Sequence, residues 1–210
     1  MSSSANRNSS KSGVPYGSAT YWENRYRNES DAGFEWYPNA DNVVANALPD
    51  AVPACGSVLE IGSGSSQMSR KLLDSSRRVW FTDISATVCT NMRERGLSDV
   101  SGQVEFSVID CCRLPFRPAS FDAVVDKATL DAIDCTDDRN TNLCLGEVHR
   151  VLRGGGVYFL ISCREPAVRE ADLGGLFTIS SVVDVWSGSD PHSPCPLAHV
   201  YTCVPNPTKN

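Results

Sequence analysis

The sequence predicts an α/β fold: a seven-stranded, mostly parallel sheet with helices on both faces, finished by an antiparallel C-terminal hairpin. Three observations carry that expectation. Short apolar runs of strand length alternate with segments of helical period through residues 57–163, the pattern of βα units in a parallel sheet. The first run, Val58-Leu59-Glu60-Ile61, stops in Gly62-Ser63-Gly64 and leads into a helical pattern, as a buried strand does when it turns tightly onto a helix N-terminus. Two β-rich runs, 177–186 and 197–204, close the chain as a hairpin.

Taken in order, residues 1–19 are rich in Ser, Asn and Gly and predict a disordered tail ahead of one domain, 20–210. Arg7 and Lys11 give this tail the charge of a transit peptide without its apolar face. Trp22 and Tyr26 stand at i, i+4, so a helix puts both rings on one face. With Trp36 they read equally as a core stripe or as a lid folded over the strand ends. Residues 42–48 form a short helix that stops at Pro49. After the Gly turn, Met68 and Leu72 share a helix face, and residues 79–83 form the second strand, ending in Asp83. Residues 86–95 are helical, with Val88, Cys89 and Met92 inward and Gly96 as the stop. The third strand, 104–109, runs into Asp110-Cys111, and the fourth, 121–127, ends at Lys127. A polar loop at 136–139 precedes a helix over 143–152, with Cys144, Val148 and Val151 on one face and His149 on the solvated side. Residues 154–156, all Gly, turn into the fifth strand, 157–163, and His199 in the last run reads as packed.

Composition narrows the function. The chain has 210 residues, 41% hydrophobic and 21% charged, as an ordinary globular domain does. A net charge of −6 argues against a nucleic-acid partner, which calls for a basic face. No apolar run has the length of a membrane span, and there is no signal-peptide core. The nine cysteines lack the spacing of a zinc or redox motif. Several sit inside apolar patterns, and their odd number points to a reducing, cytoplasmic setting. Cys111-Cys112 is not expected to form a metal or redox pair, because adjacent side chains project differently and no His or further Cys accompanies them.

Ligands of such sheets bind outside the carboxyl ends of the strands, so the Gly turn forms the floor of a site. Gly-x-Gly alone serves NAD, FAD and S-adenosylmethionine alike. A dinucleotide turn carries a third Gly three places on, where this chain has Gln67. Glu60 repels a pyrophosphate and suits a ligand bearing an ammonium and a sulfonium, so the residues favour S-adenosylmethionine. Asp83, about 20 residues beyond the turn, is where an acid on ribose hydroxyls belongs; its alternative is to cap the next helix, a task open to Ser85. Asp110 is suited to accept from an adenine amino group, or serves only as a turn residue.

Glu60 with Gly62 and Gly64, Asp83, Asp110 and the run Val151-Leu152-Arg153-Gly154-Gly155-Gly156 resemble, in this order, the class I S-adenosylmethionine-dependent methyltransferases, with their Rossmann-like sheet. Tyr21-Trp22-x-x-Arg25-Tyr26, Trp36 and Asp126-Lys127-Ala128-Thr129-Leu130-Asp131-Ala132 narrow the resemblance. They are similar to a methyltransferase-like subgroup that methylates protein lysines, notably on translation elongation factor 1-alpha and mitochondrial citrate synthase. The resemblance implies S-adenosylmethionine as cofactor, held by Trp22, Tyr26, Trp36, Gly62, Gly64, Asp83, Ile84, Asp110, Cys111 and Lys127. It implies a protein acceptor with an accessible lysine, such as elongation factor 1-alpha. The chain departs from the pattern at Ser65, in place of the usual Asn, and at Ala128, in place of Gly. Competing readings are a small-molecule methyltransferase, a non-catalytic S-adenosylmethionine-binding partner protein and an NAD-dependent oxidoreductase.

Overall fold

The computed structural model describes residues 13–28, 35–73, 77–95, 103–186 and 195–207. Strands β1 (Ser57–Ile61), β2 (Arg78–Asp83), β3 (Val104–Val108), β4 (Phe121–Lys127) and β5 (Leu152–Ser162) run parallel, and β6 (Phe177–Val185) and β7 (Ala198–Pro205) form the antiparallel hairpin. The seven-stranded order is β3-β2-β1-β4-β5-β7-β6, with β7 inserted antiparallel beside β5. Direction of strand addition reverses between β1 and β4, which opens a crevice at the carboxyl ends of these two central strands.

Alternation along β1 divides the core. Val58 joins one layer with Ala40, Val44 and Leu48 of helix α2 (Ala40–Ala51), Met68 and Leu72 of α3 (Met68–Leu73), and Val88 and Met92 of α4 (Ala86–Glu94). Leu59 and Ile61 face the other layer, with Cys144, Leu145 and Val148 of α6 (Asp138–Val151) and Leu173 of α7 (Pro166–Leu173). Each Leu or Ile removed fully from water contributes about 1.5–3 kcal/mol, so two apolar layers hold the central strands and leave their carboxyl ends for binding.

Several boundaries differ from the sequence reading. Helix α6 begins at Asp138, in the expected polar loop, because the Asp137 carboxylate accepts from Asn140 N at 3.0 Å and caps it. The expected turn at 154–156 is a bulge within β5: Phe121 pairs with Leu152, Ala123 with Val157, and Gly155 takes φ +80°. Helices α5 (Thr129–Ile133) and α7 are additions; both are too short for an apolar period to stand out. His149 is half-buried rather than solvated, against Asn206 O at 2.8 Å and the Phe177 ring. His199 is packed, 4% exposed, with Nδ1 2.8 Å from Asp184. Residues 1–12 of the expected tail, and Gly96, lie outside the described residues. Residues 13–18 turn onto helix α1 (Ala19–Asn28), where Tyr16 packs edge-on to Tyr21 and close to Trp22.

Candidate functional site

Along β1 the chain is buried and extended, then Gly62 and Gly64 take φ +57° and +54°. This left-handed backbone strains any residue carrying a Cβ. Space forbids one as well: a Cβ on Gly62 would lie 2.0 Å from Thr129 Oγ1, and one on Gly64 2.8 Å from the Tyr26 hydroxyl. The turn is pinned from β2. Ser63 N donates to Thr82 O at 2.9 Å, and Gly64 N donates to Asp83 Oδ2 at 3.0 Å. Asp83 Oδ1 accepts from Ser85 N at 2.9 Å, while the Ser85 hydroxyl caps α4 through Val88 N. Asp83 is therefore not the helix cap. It is 5% exposed, and burial pushes its carboxyl up to about 6.

Helix α1 covers this turn. None of its residues is buried; Trp22 and Tyr26 line the cleft while Tyr26 also packs against the core layer that holds Val58. Trp22 stacks on Tyr26 with centroids 5.9 Å apart, and Trp36 meets Trp22 at 6.4 Å. The Arg25 guanidinium lies 5.5 Å from the ring centres of both Trp22 and Trp36, a geometry in which ring quadrupoles attract the cation. Glu23 ties the helix down, accepting from the hydroxyls of Ser85 and Thr87 at 2.6 Å each. The Ser85 hydroxyl, then that of Thr87, draws the Glu23 carboxyl down to about 2.

The opposite wall comes from β4 and α5. Lys127, 7% exposed, pairs with Glu35 and, at 2.8 Å, with Asp41. Glu35 also accepts from Gln67 N at 3.1 Å. Ala128 holds φ +65°, a left-handed conformation that explains why Gly suits this place. Asp126 caps α5 by accepting from Thr129 N at 2.9 Å, and burial raises its carboxyl to about 7. Behind this wall Asp131 accepts from the Tyr37 hydroxyl at 2.7 Å, Ser162 Oγ at 2.6 Å and the wholly buried Arg169 at 2.6 Å.

Trp22, Tyr26, Trp36, Gly62, Gly64, Asp83, Ile84, Asp110, Cys111 and Lys127 all line this one cleft. Glu60 does not. It is 1% exposed and shares the Val58 face of β1, where it accepts from Ser69 Oγ at 2.9 Å. Burial raises its carboxyl to about 8, and the acid expected to face a cationic ligand lies outside the cleft lining. Sequence reasoning also passed over Tyr16, Arg25 and Thr129 as cleft residues. The Tyr-Trp-x-x-Arg-Tyr spacing held the signal for Arg25, one turn from Trp22 on the same helix.

Comparison with known proteins agrees with this geometry. The family described as "Methyltransferase domain" matches residues 59–160. The eEF1A lysine and N-terminal methyltransferase of Mus musculus is 34% identical over 170 residues, covering 78% of this chain and 24% of that protein. The chain thus spans about a quarter of the length of such relatives, the Homo sapiens protein included (34% identical, 24% covered). EEF1A lysine methyltransferase 4 of Mus musculus is 29% identical, with 73% of this chain and 64% of that protein covered. Among solved structures, 1,6-didemethyltoxoflavin-N1-methyltransferase of Burkholderia thailandensis has a TM-score of 0.65 at 16% identity, over 90% of this chain and 86% of that one. A structure solved for the conversion of a disulfide into a thioacetal in echinomycin biosynthesis reaches 0.72 at 17% identity, covering 91% and 94%. At these identities the likeness speaks for the fold alone. Together, the Gly turn under an aromatic cover, the sheet order and the matched domain make this chain a member of the class I S-adenosylmethionine-dependent methyltransferases.

Proposed function

We propose that the chain transfers a methyl group from S-adenosylmethionine to a lysine side chain of a protein, with translation elongation factor 1-alpha as the acceptor its relatives' names point to. The observation that carries the reading is the cleft itself: a Gly turn, an acid at the end of β2 and an apolar-aromatic cover converge at the switch point of the sheet. The residues fit the cofactor. Each Asp83 oxygen accepts one backbone N–H and keeps a lone pair for a ribose hydroxyl. Ile84, 37% exposed at the mouth, offers an apolar face to the adenine, and Asp110 with Cys111 N–H its polar edge. Arg25, a planar donor fork between two tryptophans, suits the methionine carboxylate.

When bound, S-adenosylmethionine supplies a methyl carbon made electrophilic by its sulfonium. The chain's contribution is placement and desolvation. Holding the acceptor amine in line at about 3–3.5 Å converts a bimolecular step into a unimolecular one. Trp22, Tyr26 and Trp36 exclude water, and a desolvated lysine amine loses its proton more readily. No helix among the described residues is long and apolar enough to cross a membrane, and a cytoplasmic site of action suits both that and the acceptor.

The test is incubation with radiolabelled S-adenosylmethionine and either cell lysate or purified elongation factor 1-alpha, read by gel and mass spectrometry. A labelled protein band with methyl-lysine is the expected result. Label confined to small molecules overturns the protein acceptor, and absence of any cofactor binding overturns the cleft assignment.

A further inference from the structure

Adjacent cysteines make poor metal ligands when their side chains diverge and no other donor is near. The fold removes both obstacles at Cys111-Cys112. Arg113 N donates to Asp110 O at 2.9 Å and Cys112 N donates to Asp110 Oδ1 at 2.9 Å, curling the backbone into a tight turn. The Asp110 carboxylate and the Cys111 and Cys112 thiols thereby lie within 4.8 Å of one another. Behind the pair, Cys111 and Cys112 pack against the apolar layer that holds buried Cys144 of helix α6. One turn earlier on the same helix, Asn140 O accepts from Cys112 Sγ at 3.5 Å. Cys111 and Cys112 line the cleft, so the cluster is open to solution.

We infer that Asp110, Cys111 and Cys112 form a binding site for a soft divalent cation of the zinc or cadmium class, built into the adenine end of the cleft. The donor set decides the class. Thiolates select zinc, cadmium and similar ions, whereas magnesium and calcium take oxygen ligands. Two sulfurs and one carboxylate supply three protein ligands and leave the fourth tetrahedral position to solvent. Each ligating thiol releases its proton to solvent as the metal–sulfur bond forms, so affinity rises with pH. The consequence for the cofactor rests on the function proposed above. A cation on Asp110, Cys111 and Cys112 would take up space that the adenine needs in the same cleft, so metal and cofactor compete.

The test titrates the reduced full chain with cadmium chloride and follows the ultraviolet sulfur-to-cadmium charge-transfer band, with circular dichroism checking the fold of each variant. One saturating ion is expected for the native chain and for Cys195→Ser, whose exposed thiol is not among the cleft-lining residues. Cys112→Ser, the half-exposed ligand least tied to the core, and Asp110→Asn should each weaken binding by at least about tenfold, a loss that removal of even an outer-shell partner causes. No saturable band, or equal affinity in native chain and both variants, overturns the site. Repeating the titration with saturating S-adenosylhomocysteine should weaken cadmium binding; unchanged cadmium affinity overturns the adenine-end overlap. Failure of S-adenosylhomocysteine to bind the metal-free chain would instead tell against the cofactor reading, while the charge-transfer band still decides the metal site.

Discussion

Replacing Asp83 with Ala separates the two duties of that carboxylate. In the folded chain it accepts from Gly64 N at 3.0 Å and Ser85 N at 2.9 Å at a site 5% exposed. Truncation leaves two buried N–H donors without their acceptor, each costing about 1–3 kcal/mol. Truncation also removes the desolvation cost that raises this carboxyl, so of about 2–6 kcal/mol for two donors the lower half is the better expectation: about 2–4 kcal/mol of stability. A ribose contact adds a separate loss in affinity of about 1–3 kcal/mol for a charge-assisted hydrogen bond. Urea unfolding with and without S-adenosylhomocysteine reads both. Ligand at 100 times its Kd stabilises the native chain by about 2.7 kcal/mol, and a tenfold weaker variant at the same concentration by only about 1.4 kcal/mol. A lower midpoint with the full ligand increment would show that Asp83 holds the Gly turn and touches no ribose. An unchanged midpoint would refute the argument about orphaned donors.

Gly62→Ala should cost at least about 1–2 kcal/mol from the left-handed backbone alone, and more from the contact 2.0 Å away at Thr129 Oγ1; the double variant with Thr129→Gly should recover the contact part in thermal melts, and a Gly62→Ala chain as stable as native sinks the idea. Glu60 holds a proton up to about pH 8 when folded but releases it near 4.5 when unfolded. The folded state therefore binds the extra proton between those values, and stability falls as pH rises through them. Glu60→Gln should flatten that fall by up to about 1.4 kcal/mol per pH unit, measured by urea unfolding at a series of pH values; a native-like slope would count against a protonated Glu60. Lys127→Met strands Asp41, whose side chain is 6% exposed, without its cation. Removing one partner of a buried pair costs about 3–5 kcal/mol, so an unchanged denaturation midpoint would show that the pairing carries no weight.

Much of the cleft was legible in the chain because it is built from local chemistry. A strand ending in Gly62 and Gly64 declares itself through an apolar run and a backbone that tolerates φ near +55°. Asp83 and Asp110 declare themselves by position, each closing a run of strand period. Trp22 and Tyr26 share a face whatever the helix packs against. Where the sequence misled, the error was one of direction. Glu60 sits next to the turn in sequence, yet side chains alternate along a strand, and it points with Val58 into the layer under α2 and α3.

The amino-acid order by itself determined the succession of strands and helices, the site of the tight turn and the set of polar residues at the strand ends, since each depends on residues within a few positions. Tertiary packing decided the rest. Lys127 meets Glu35 and Asp41 from 92 and 86 residues away, Asp131 meets Arg169 from 38, and Cys144 shares an apolar layer with Cys111 because the connection from β4 to β5 folds α6 onto the sheet. No local period encodes such pairings. They arise where crossover connections lay distant segments against the same sheet, and the burial of their charges and thiols follows from that contact.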